Sequence, residues 1–422
     1  MAKQTTEVSA PAVSGSAASS VASSPGSSHP RSSRLVSSHE VKIADCDINE
    51  LRHITASETT SQHVPLAGEI DKGIPVYCGK TINAKINDHE FIDALLSEWN
   101  YVFDEGAGII AIKEAFPDAS IVHDTTRVLQ EIIAAEAAKS SGSGDHFAAA
   151  GANSRVWNSH EKLAVTNPEV FARYYANPVM HLASRAWLGP GYQITAQVNV
   201  VHPGGKAQVC HRDYHLGFQS VEQLGQYPRN VHRLSPHLTL QGAIAHSSMP
   251  IASGPTQLLP HSQKFLAGYV ATQLDEFRQH FVDHHVQLPL DVGDMLFFNP
   301  AVIHAAGDNN TEQDRFANLF QIGSAFGRTL EMVDRTKLCR LLYPVLHQWS
   351  ALKRHTQQQI DDVLAATAEG YPFPCSLDLS PPVGGLAPQS QFDIMRSALL
   401  AKQSIADFNT TVDQWLSMQG SI

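Results

Sequence analysis

The region from Tyr192 to Ile322 constrains the fold more than any other part of the chain. Short runs of β-branched, aromatic and other apolar residues recur there, separated by Pro, Gly and Asn. A chain that turns this often leaves little room for long helices, and the pattern is typical of antiparallel strands in a sandwich or barrel. We therefore predict a β-rich core over about residues 190–325.

Helical periodicity predicts helices on both sides of this core. Apolar residues at helical spacing predict one helix over residues 88–103 and another over 124–138, with a short buried strand at 108–113 between them. A single apolar stripe then extends over about seven turns near the C-terminus. Its members are Phe392, Met395, Leu399, Ile405, Phe408, Val412, Trp415 and Leu416. We expect residues 331–422 to form a helical extension packed on the core, and these helices are a candidate surface for a homo-oligomer.

The N-terminal segment has the composition of a disordered tail. Ser and Ala dominate residues 1–39, and no Phe, Trp or Tyr precedes Tyr77. Such a segment cannot bury enough apolar surface to offset the entropy that it would lose on ordering. We predict a disordered, Ser/Ala-rich tail over residues 1–75. The same bias, with few arginines, also permits a transit peptide.

Composition argues against several classes of protein. The net charge of −11 disfavours general binding to nucleic acid or to anionic membranes, because both need a basic face. The five cysteines form no C-x-x-C pair, which disfavours a disulfide framework and indicates a reducing compartment. No apolar run approaches the roughly 20 residues needed to span a bilayer. We expect a soluble, cytoplasmic protein that acts on a small molecule, with organellar import left open.

Two histidines and one aspartate in the predicted β core form a candidate metal site. His211 and Asp213 are two positions apart, so on an extended chain their side chains project to the same side. His304 follows an apolar strand among buried neighbours. Two histidines and a carboxylate leave three coordination positions open, which suits non-haem Fe(II) oxygenases. In a chain with 22 histidines, an ordinary core histidine is the alternative interpretation of His304.

Arg315 separates an oxygenase from other metalloproteins. We predict a hairpin in which the strand that ends near His304 is followed by a return strand over 315–322, so that Arg315 lies beside His304. A guanidinium inside a barrel is costly unless it is paired, and the return strand contains no acidic residue. A ligand carboxylate would supply the partner, as in a 2-oxoglutarate site. The alternative is a surface salt bridge to Asp314 or Glu312.

Five ordered elements between Gly108 and Gly327 resemble the phytanoyl-CoA dioxygenase family of Fe(II)/2-oxoglutarate-dependent oxygenases. They are a Gly-rich turn, a Q-x-x-H-x-D motif, a Gly-Pro-Thr stretch leading to Pro and His, a D-x-G-D turn, and a distal histidine followed by an arginine. They correspond to Gly204–Gly205, Gln208–Asp213, Gly254–Lys264, Asp291–Asp294, and the pair His304 and Arg315. One departure is Pro260-His261-Ser262, where the family usually has Pro-Gly-Ser-His, so we assign His261 no catalytic role.

The resemblance implies a fold, a set of cofactors and a set of site residues. The implied fold is mainly β with flanking helices around a double-stranded β-helix, a jelly-roll relative of the cupins. The dioxygenase domain would cover residues 80–330. The implied cofactor is Fe(II), and 2-oxoglutarate and dioxygen are the implied cosubstrates. The implied catalytic residues are the metal ligands His211, Asp213 and His304, and the implied cosubstrate contacts are Arg315, Gln197, Thr256 and Asn199.

The implied reaction is hydroxylation of a small metabolite or an acyl-CoA-like substrate, with release of succinate and CO2. Halogenases of this class replace the metal-binding carboxylate with a small residue, so Asp213 favours hydroxylation, while desaturation and ring closure stay open. A CoA thioester would need cations for its phosphates. The candidates are Arg328, Arg335, Lys337 and Arg340. Two other functions stay open: a cupin-like Zn or Mn isomerase or hydrolase, and a non-catalytic jelly-roll binding protein.

Overall fold

The computed structural model describes residues 39–139, 153–373, 375–382, 384 and 386–420. The strands in these ranges are β1 (Glu69–Asp71), β2 (Ile74–Cys78), β3 (Ile109–Lys113), β4 (Asn153–Val156), β5 (Gln193–Val201), β6 (Thr239–Ala245), β7 (Gln257–Leu259), β8 (Met295–Phe298), β9 (Ile303–Ala305) and β10 (Arg315–Gly323). The α-helices are α1 (Ile48–Thr55), α2 (Gly79–Ala84), α3 (His89–Asp104), α4 (Ser120–Lys139), α5 (Ser159–Thr166), α6 (Pro168–Tyr175), α7 (Pro178–Leu188), α8 (Val221–Leu224), α9 (Arg229–Leu234), α10 (Gly268–Ala271), α11 (Asp275–His284), α12 (Arg335–Leu352), α13 (Gln357–Thr367), α14 (Gln391–Leu400) and α15 (Ile405–Gln419).

The strands form two sheets. The larger sheet has the order β1-β2-β3-β8-β6-β10-β5-β4, and its neighbours are antiparallel except for β2 and β3. The smaller sheet pairs β7 with β9, and isolated bridges add His211 beside His304 and Val286 beside Leu258. From β6 to β10 the chain alternates strictly between the two sheets, which is the topology of a jelly roll. The predicted double-stranded β-helix is confirmed, but helical residues outnumber strand residues in the described ranges, so "mainly β" overstates the strand content.

The predicted hairpin between the strands of His304 and Arg315 is wrong. β9 pairs with β7 in the small sheet, whereas β10 lies between β5 and β6 in the large sheet. The connection is longer than a tight hairpin turn, and its backbone bonds to other loops: Gly307 N donates to Gly254 O and Asn309 N to Gly205 O. It is therefore a crossover from one sheet to the other.

The two faces of β5 meet different surroundings. Ile194, Ala196 and Val198 point into the largest hydrophobic cluster, where they pack with residues of the flanking helices such as Phe171 and Tyr175 of α6. The alternate side chains point into the space between the two sheets. Strand alternation thus separates a core face from a polar face, as the sequence predicts.

The predicted helices and the strand before the core are confirmed with small changes at their ends. α3 begins after Asp88, whose carboxylate accepts a hydrogen bond from Phe91 N at 3.1 Å. β3 covers Ile109–Lys113, and α4 begins at Ser120, earlier than predicted. Among the described helices, none combines the length and the apolar character needed to cross a membrane.

The C-terminal apolar stripe forms two helices instead of one. α14 and α15 are separated by a short turn in which Lys402 has a φ of 54°. Ser404 then caps α15, because its hydroxyl accepts a hydrogen bond from Asp407 N at 3.1 Å. The stripe is not buried as one continuous face, because Ile405 and Leu416 are 45% and 38% exposed.

The predicted N-terminal tail extends too far along the chain. Residues 39–75 contain α1, β1 and the start of β2, and Leu51 of α1 is fully buried. Leu51 packs in a second hydrophobic cluster whose aromatic members, such as Phe265 and Phe277, lie elsewhere in the sequence. The segment is ordered without aromatic residues of its own because its partners supply them. Residues 1–38 lie outside the described residues.

Candidate metal centre

His211, Asp213 and His304 lie together at the small sheet. The two histidines are bridge partners whose backbones exchange hydrogen bonds of 2.9 and 3.0 Å. Asp213 Oδ1 lies 3.6 Å from His211 Nε2, and Asp213 Oδ2 lies 3.4 Å from His304 Nε2. One ligand atom from each residue lies within 4.8 Å of the others, a spacing that one metal ion can bridge.

Backbone carbonyls set the protonation of both imidazole rings. His211 Nδ1 lies 2.9 Å from Val209 O, and His304 Nδ1 lies 2.9 Å from Val302 O. A carbonyl oxygen can only accept, so each Nδ1 carries the proton and each Nε2 presents a lone pair to Asp213. Burial lowers the pKa of His211, and the neighbouring His304 lowers it further, which favours the neutral ring that binds metals. Three electron-pair donors that face one another fit a bound cation.

Gln241 holds the carboxylate of this group. Its Nε2 donates a hydrogen bond to Asp213 Oδ2. Burial alone would raise the pKa of Asp213, but its two histidine neighbours and the hydrogen bond from Gln241 outweigh burial and bring the pKa below its usual range. Asp213 is therefore a carboxylate at neutral pH, with an orientation fixed from the large sheet.

A cavity of about 550 Å³ between the sheets contains these side chains. Its lining includes every site residue predicted from the sequence. They are Gln197, Asn199, His211, Asp213, Thr256, His304 and Arg315. Gln197 Oε1 accepts a hydrogen bond from Arg155 Nη1 at 2.6 Å, and in the described part of the chain Asn199 Oδ1 has no hydrogen-bond partner. Thr256 is half-buried in the wall.

Arg315 is buried in the cavity wall, with 6% of its surface exposed. Its Nη1 donates to the backbone oxygens of Ser253 at 3.0 Å and Gly307 at 3.2 Å. Burial lowers the pKa of Arg315 to about 10, so the guanidinium remains charged at neutral pH. Asp314 pairs with His202 at 2.8 Å, and no acidic side chain in the described residues forms an ion pair with Arg315. The salt-bridge interpretation of Arg315 is therefore not supported.

Gly254 allows the two loops behind Arg315 to meet. Its φ is 68°, a left-handed value, and a Cβ there would lie 2.4 Å from the carbonyl carbon of Gly307. Gly307 N donates to Gly254 O at 3.1 Å. This close approach places the carbonyls of Ser253 and Gly307 where they fix the guanidinium of Arg315.

Two further elements of the family-like pattern stabilise the fold. Asp294 accepts hydrogen bonds from Lys113 Nζ at 2.9 Å and from Glu114 N at 2.8 Å, which ties the D-x-G-D turn to the end of β3. His261 has a φ of 68° and lies 3.3 Å from Lys264 Nζ. Neither Asp294 nor His261 belongs to the cavity lining.

Three of the four cations considered for CoA phosphates already have partners. Arg335 donates to the backbone oxygens of Ala366 and Ile194 at 2.8 and 2.6 Å. Lys337 pairs with Glu161 at 3.0 Å. Arg340 pairs with Asp413 at 2.7 Å. These contacts argue against a phosphate site built from this group.

The sequence prediction missed several polar or aromatic residues of the cavity, among them Arg155, Trp157, Gln241 and Gln321. Gln321 could have been found, because it alternates with Arg315 along β10 and so shares its face. Gln241 faces Gln321 across the β6–β10 pair, and this pairing cannot be read from the sequence.

Comparisons with known proteins agree with this arrangement. A family model described as phytanoyl-CoA dioxygenase (PhyH) matches residues 105–317. The chain is 30% identical over 139 residues to the dioxygenase FUM3 of Gibberella moniliformis, a match over 32% of this chain and 39% of that protein. The chain thus spans well under two thirds of that relative.

Solved structures of two enzymes from nogalamycin biosynthesis are also similar to this chain. The alpha-ketoglutarate-dependent epimerase SnoN, in complex with Fe3+, alpha ketoglutarate and nogalamycin RO, is 17% identical with a TM-score of 0.39, over 55% of this chain and 85% of that one. The carbocyclase SnoK is 17% identical with a TM-score of 0.41, over 59% and 92%.

Proposed function

The chain belongs to the phytanoyl-CoA dioxygenase family, and from this premise we propose that it hydroxylates a small organic molecule. It is an enzyme of the Fe(II)/2-oxoglutarate oxygenase class, with Fe(II) as cofactor and 2-oxoglutarate and dioxygen as cosubstrates. One observation carries the proposal: a single cavity contains three converging electron-pair donors and, elsewhere in its wall, a buried guanidinium that has no acidic partner among the described residues.

His211, Asp213 and His304 would hold the metal. The carbonyls of Val209 and Val302 keep both Nε2 atoms free of protons, and Gln241 keeps the carboxylate in place. No side chain has to rotate or lose a proton before the ion binds. When bound, iron with 2-oxoglutarate and dioxygen supplies an oxidant for a C–H bond, while 2-oxoglutarate becomes succinate and CO2.

Arg315 would hold the distal carboxylate of 2-oxoglutarate. Its Nη1 donates to backbone carbonyls, and within the described ranges no hydrogen bond involves Nε or Nη2, so these two atoms can make a planar, two-pronged contact with a carboxylate. Small and apolar side chains line the cavity beside it, among them Ala245 and Ala317. Such a wall suits the methylene groups of a dicarboxylate.

Oxygen-dependent succinate formation tests the proposal. The full-length protein with Fe(II) and 2-oxoglutarate, screened against a metabolite library, should release succinate under air and none under nitrogen. Mass spectrometry of the product should show the gain of one oxygen atom, whereas desaturation or ring closure would remove two hydrogens. Substrate turnover that continues under nitrogen would favour the Zn or Mn isomerase or hydrolase alternative and would overturn the oxygenase assignment.

A further inference from the structure

Of the three cavity-wall amide oxygens that lack a hydrogen-bond donor in the described part of the chain, one is Asn199 Oδ1 and the other two belong to a pair of glutamines. Within the described residues, neither Gln241 Oε1 nor Gln321 Oε1 has a partner, and the two residues are only 6% and 8% exposed. A buried acceptor left without a donor costs stability, so in a cavity wall it is a place where a bound molecule can complete the bonding. Both glutamines belong to the lining of the cavity that holds the candidate metal site.

The orientation of the Gln241 amide follows from its partner. Asp213 Oδ2 can only accept, so the atom that faces it must be the NH2 group of Gln241. The carbonyl oxygen of the same amide then points away from Asp213. Gln241 therefore offers an acceptor beside the metal-binding carboxylate, and turning the amide around would break the bond to Asp213.

The two glutamines lie away from the place proposed for 2-oxoglutarate. The inward side chains of β10 are Arg315, Ala317, Leu319 and Gln321, in that order, so Gln321 lies at the opposite end of the row from the guanidinium. Gln241 and Gln321 are direct cross-strand partners. Neighbours of this kind have their Cβ atoms about 5 Å apart, so their amides can bind two donors on adjacent atoms of one molecule.

The charge of the cavity lining indicates which hydrogen-bond donor groups the ligand carries. The lining contains two arginines, Arg155 and Arg315, against one carboxylate, Asp213, and a metal held at the candidate site would add positive charge. This environment disfavours an ammonium group. A carboxylate or phosphate would in turn be repelled by the amide oxygens, which are acceptors. Neutral hydroxyl groups satisfy both conditions.

The cavity also has apolar side chains at its rim. Leu330 follows the end of β10 and Trp157 follows the end of β4, and both line the cavity together with Phe218. Phe218 and Leu330 are 54% and 41% exposed. Exposed apolar side chains at the edge of a pocket suit an apolar portion of the ligand.

We propose that the substrate is a neutral molecule with two hydroxyl groups on neighbouring carbons and an apolar portion. The hydroxyls donate to Gln241 Oε1 and Gln321 Oε1, and the apolar portion packs on Phe218, Leu330 and Trp157. This inference rests on the proposed function, because it takes the Arg315 end of the cavity to be filled by 2-oxoglutarate.

Matched ligands test the inference without any substitution. Full-length protein loaded with Mn(II) and 2-oxoglutarate under nitrogen would be titrated calorimetrically with vicinal alkanediols of graded chain length and with their dimethyl ethers. The ethers keep the size and the acceptors of the diols but cannot donate. We expect the diols to bind about tenfold more tightly or better, as two hydrogen bonds require.

A substitution then tests whether the difference in affinity between diol and ether arises at Gln321. Gln321→Leu should remove most of the difference between diol and ether, whereas Gln414→Leu, a matched change on the exposed surface of α15, should retain it. Equal affinities for diols and ethers, or no binding of any diol by protein that still binds Mn(II) and 2-oxoglutarate, would overturn the inference and leave the proposed function intact. Failure to bind Mn(II) and 2-oxoglutarate would overturn both.

Discussion

Each candidate metal-binding histidine is oriented by the carbonyl two residues before it. The contacts run from His211 to Val209 and from His304 to Val302, both at 2.9 Å. The two histidines occupy equivalent positions on paired extended segments, so the same local backbone geometry fixes both rings. The backbone of each extended segment therefore orients the imidazole ring that it carries.

Removing either histidine should abolish the activity while leaving the chain folded. His211→Ala and His304→Ala each delete one of three ligand atoms, so the affinity for Fe(II) should fall by about a hundredfold or more. Anaerobic calorimetry with Fe(II) and the succinate assay measure the two effects. His53→Ala, on the exposed face of α1, is the control and should behave like the unmodified protein. Full activity in either site variant, with iron bound, would contradict the metal assignment.

Replacing Arg315 should weaken 2-oxoglutarate binding without affecting iron. Arg315→Leu removes the charge-assisted bonds and leaves the ligand carboxylate buried and unpaired, which typically costs about 3 to 5 kcal/mol, or on the order of a hundredfold or more in affinity. Arg315→Lys should restore part of the affinity, because an ammonium replaces the planar fork with a point charge. Anaerobic titration of the Fe(II) protein, followed by the metal-to-ligand charge-transfer band, measures both.

The matched control for Arg315 is Arg127→Leu. Arg127 is 59% exposed in an ion pair along α4 and lies outside the cavity lining. Its titration curve should coincide with that of the unmodified protein. An unchanged curve for Arg315→Leu would show that this arginine does not bind the cosubstrate.

Glu331 should make stability depend on pH. Burial raises the pKa of Glu331 to about 7, and the hydrogen bond from Asn158 N and the charge of Lys162 only partly oppose this. Because the raised pKa favours the protonated form in the folded state, its contribution is complete at low pH. It is lost as the pH rises from about 4.5 towards 7.

Thermal unfolding at pH values near 5 and 8 measures this effect. Glu331→Gln removes the ionisable group. The melting temperature of this variant, measured relative to that of the unmodified protein, should therefore be higher near pH 8 than near pH 5. Glu312→Gln, at an exposed position, should show no such gain. An equal response of Glu331→Gln and the unmodified protein at both pH values would refute the role of this carboxyl group.

At the scale of single elements, the sequence predicted which side chains share a face but not what that face meets. Alternation along β5 correctly put Gln197 and Asn199 on one side, although a polar face on an isolated strand normally meets solvent. The second sheet that covers this face comes from distant segments, so Gln241 and the Gln241–Gln321 pair were not predicted. The hairpin prediction failed for the same reason, since sequence proximity of β9 and β10 does not decide which sheet each one joins.

A buried aromatic contact contributes to the docking of α15. Phe408 is 1% exposed, and its ring stacks on Tyr343 of α12 with a centroid distance of 3.8 Å. Phe408→Ala should lower the free energy of unfolding by about 3 kcal/mol. Ile405→Ala, on the same helix but 45% exposed, should change it by less than about 1 kcal/mol. Urea denaturation measures both, and similar losses in the two variants would contradict the docking described here.

At the scale of the whole molecule, two N-terminal deletions distinguish the dispensable segment from the packed one. Deletion of residues 1–38 should leave the melting temperature and the activity nearly unchanged, because the Ser/Ala-rich composition offers little apolar surface to bury. Deletion of residues 1–58 also removes Val41 and Leu51, which are 1% and 0% exposed, and should lower the melting temperature strongly. Equal effects of the two deletions would show that the boundary is misplaced.

The position of β10 between β5 and β6 determines when the site can form during folding. Thr195 Oγ1 bonds to Gln321 O across 126 positions of sequence, and β10 joins two strands that would otherwise be separate edges. Pairings of such high contact order make folding slow, on a scale of milliseconds to seconds. A nascent chain that ends before Arg315 has neither the guanidinium nor the strand that closes the large sheet, and its open edges invite aggregation. Completion of the proposed 2-oxoglutarate site is therefore expected among the last events of folding, which makes 2-oxoglutarate binding a sensitive reporter of misfolded material in a preparation.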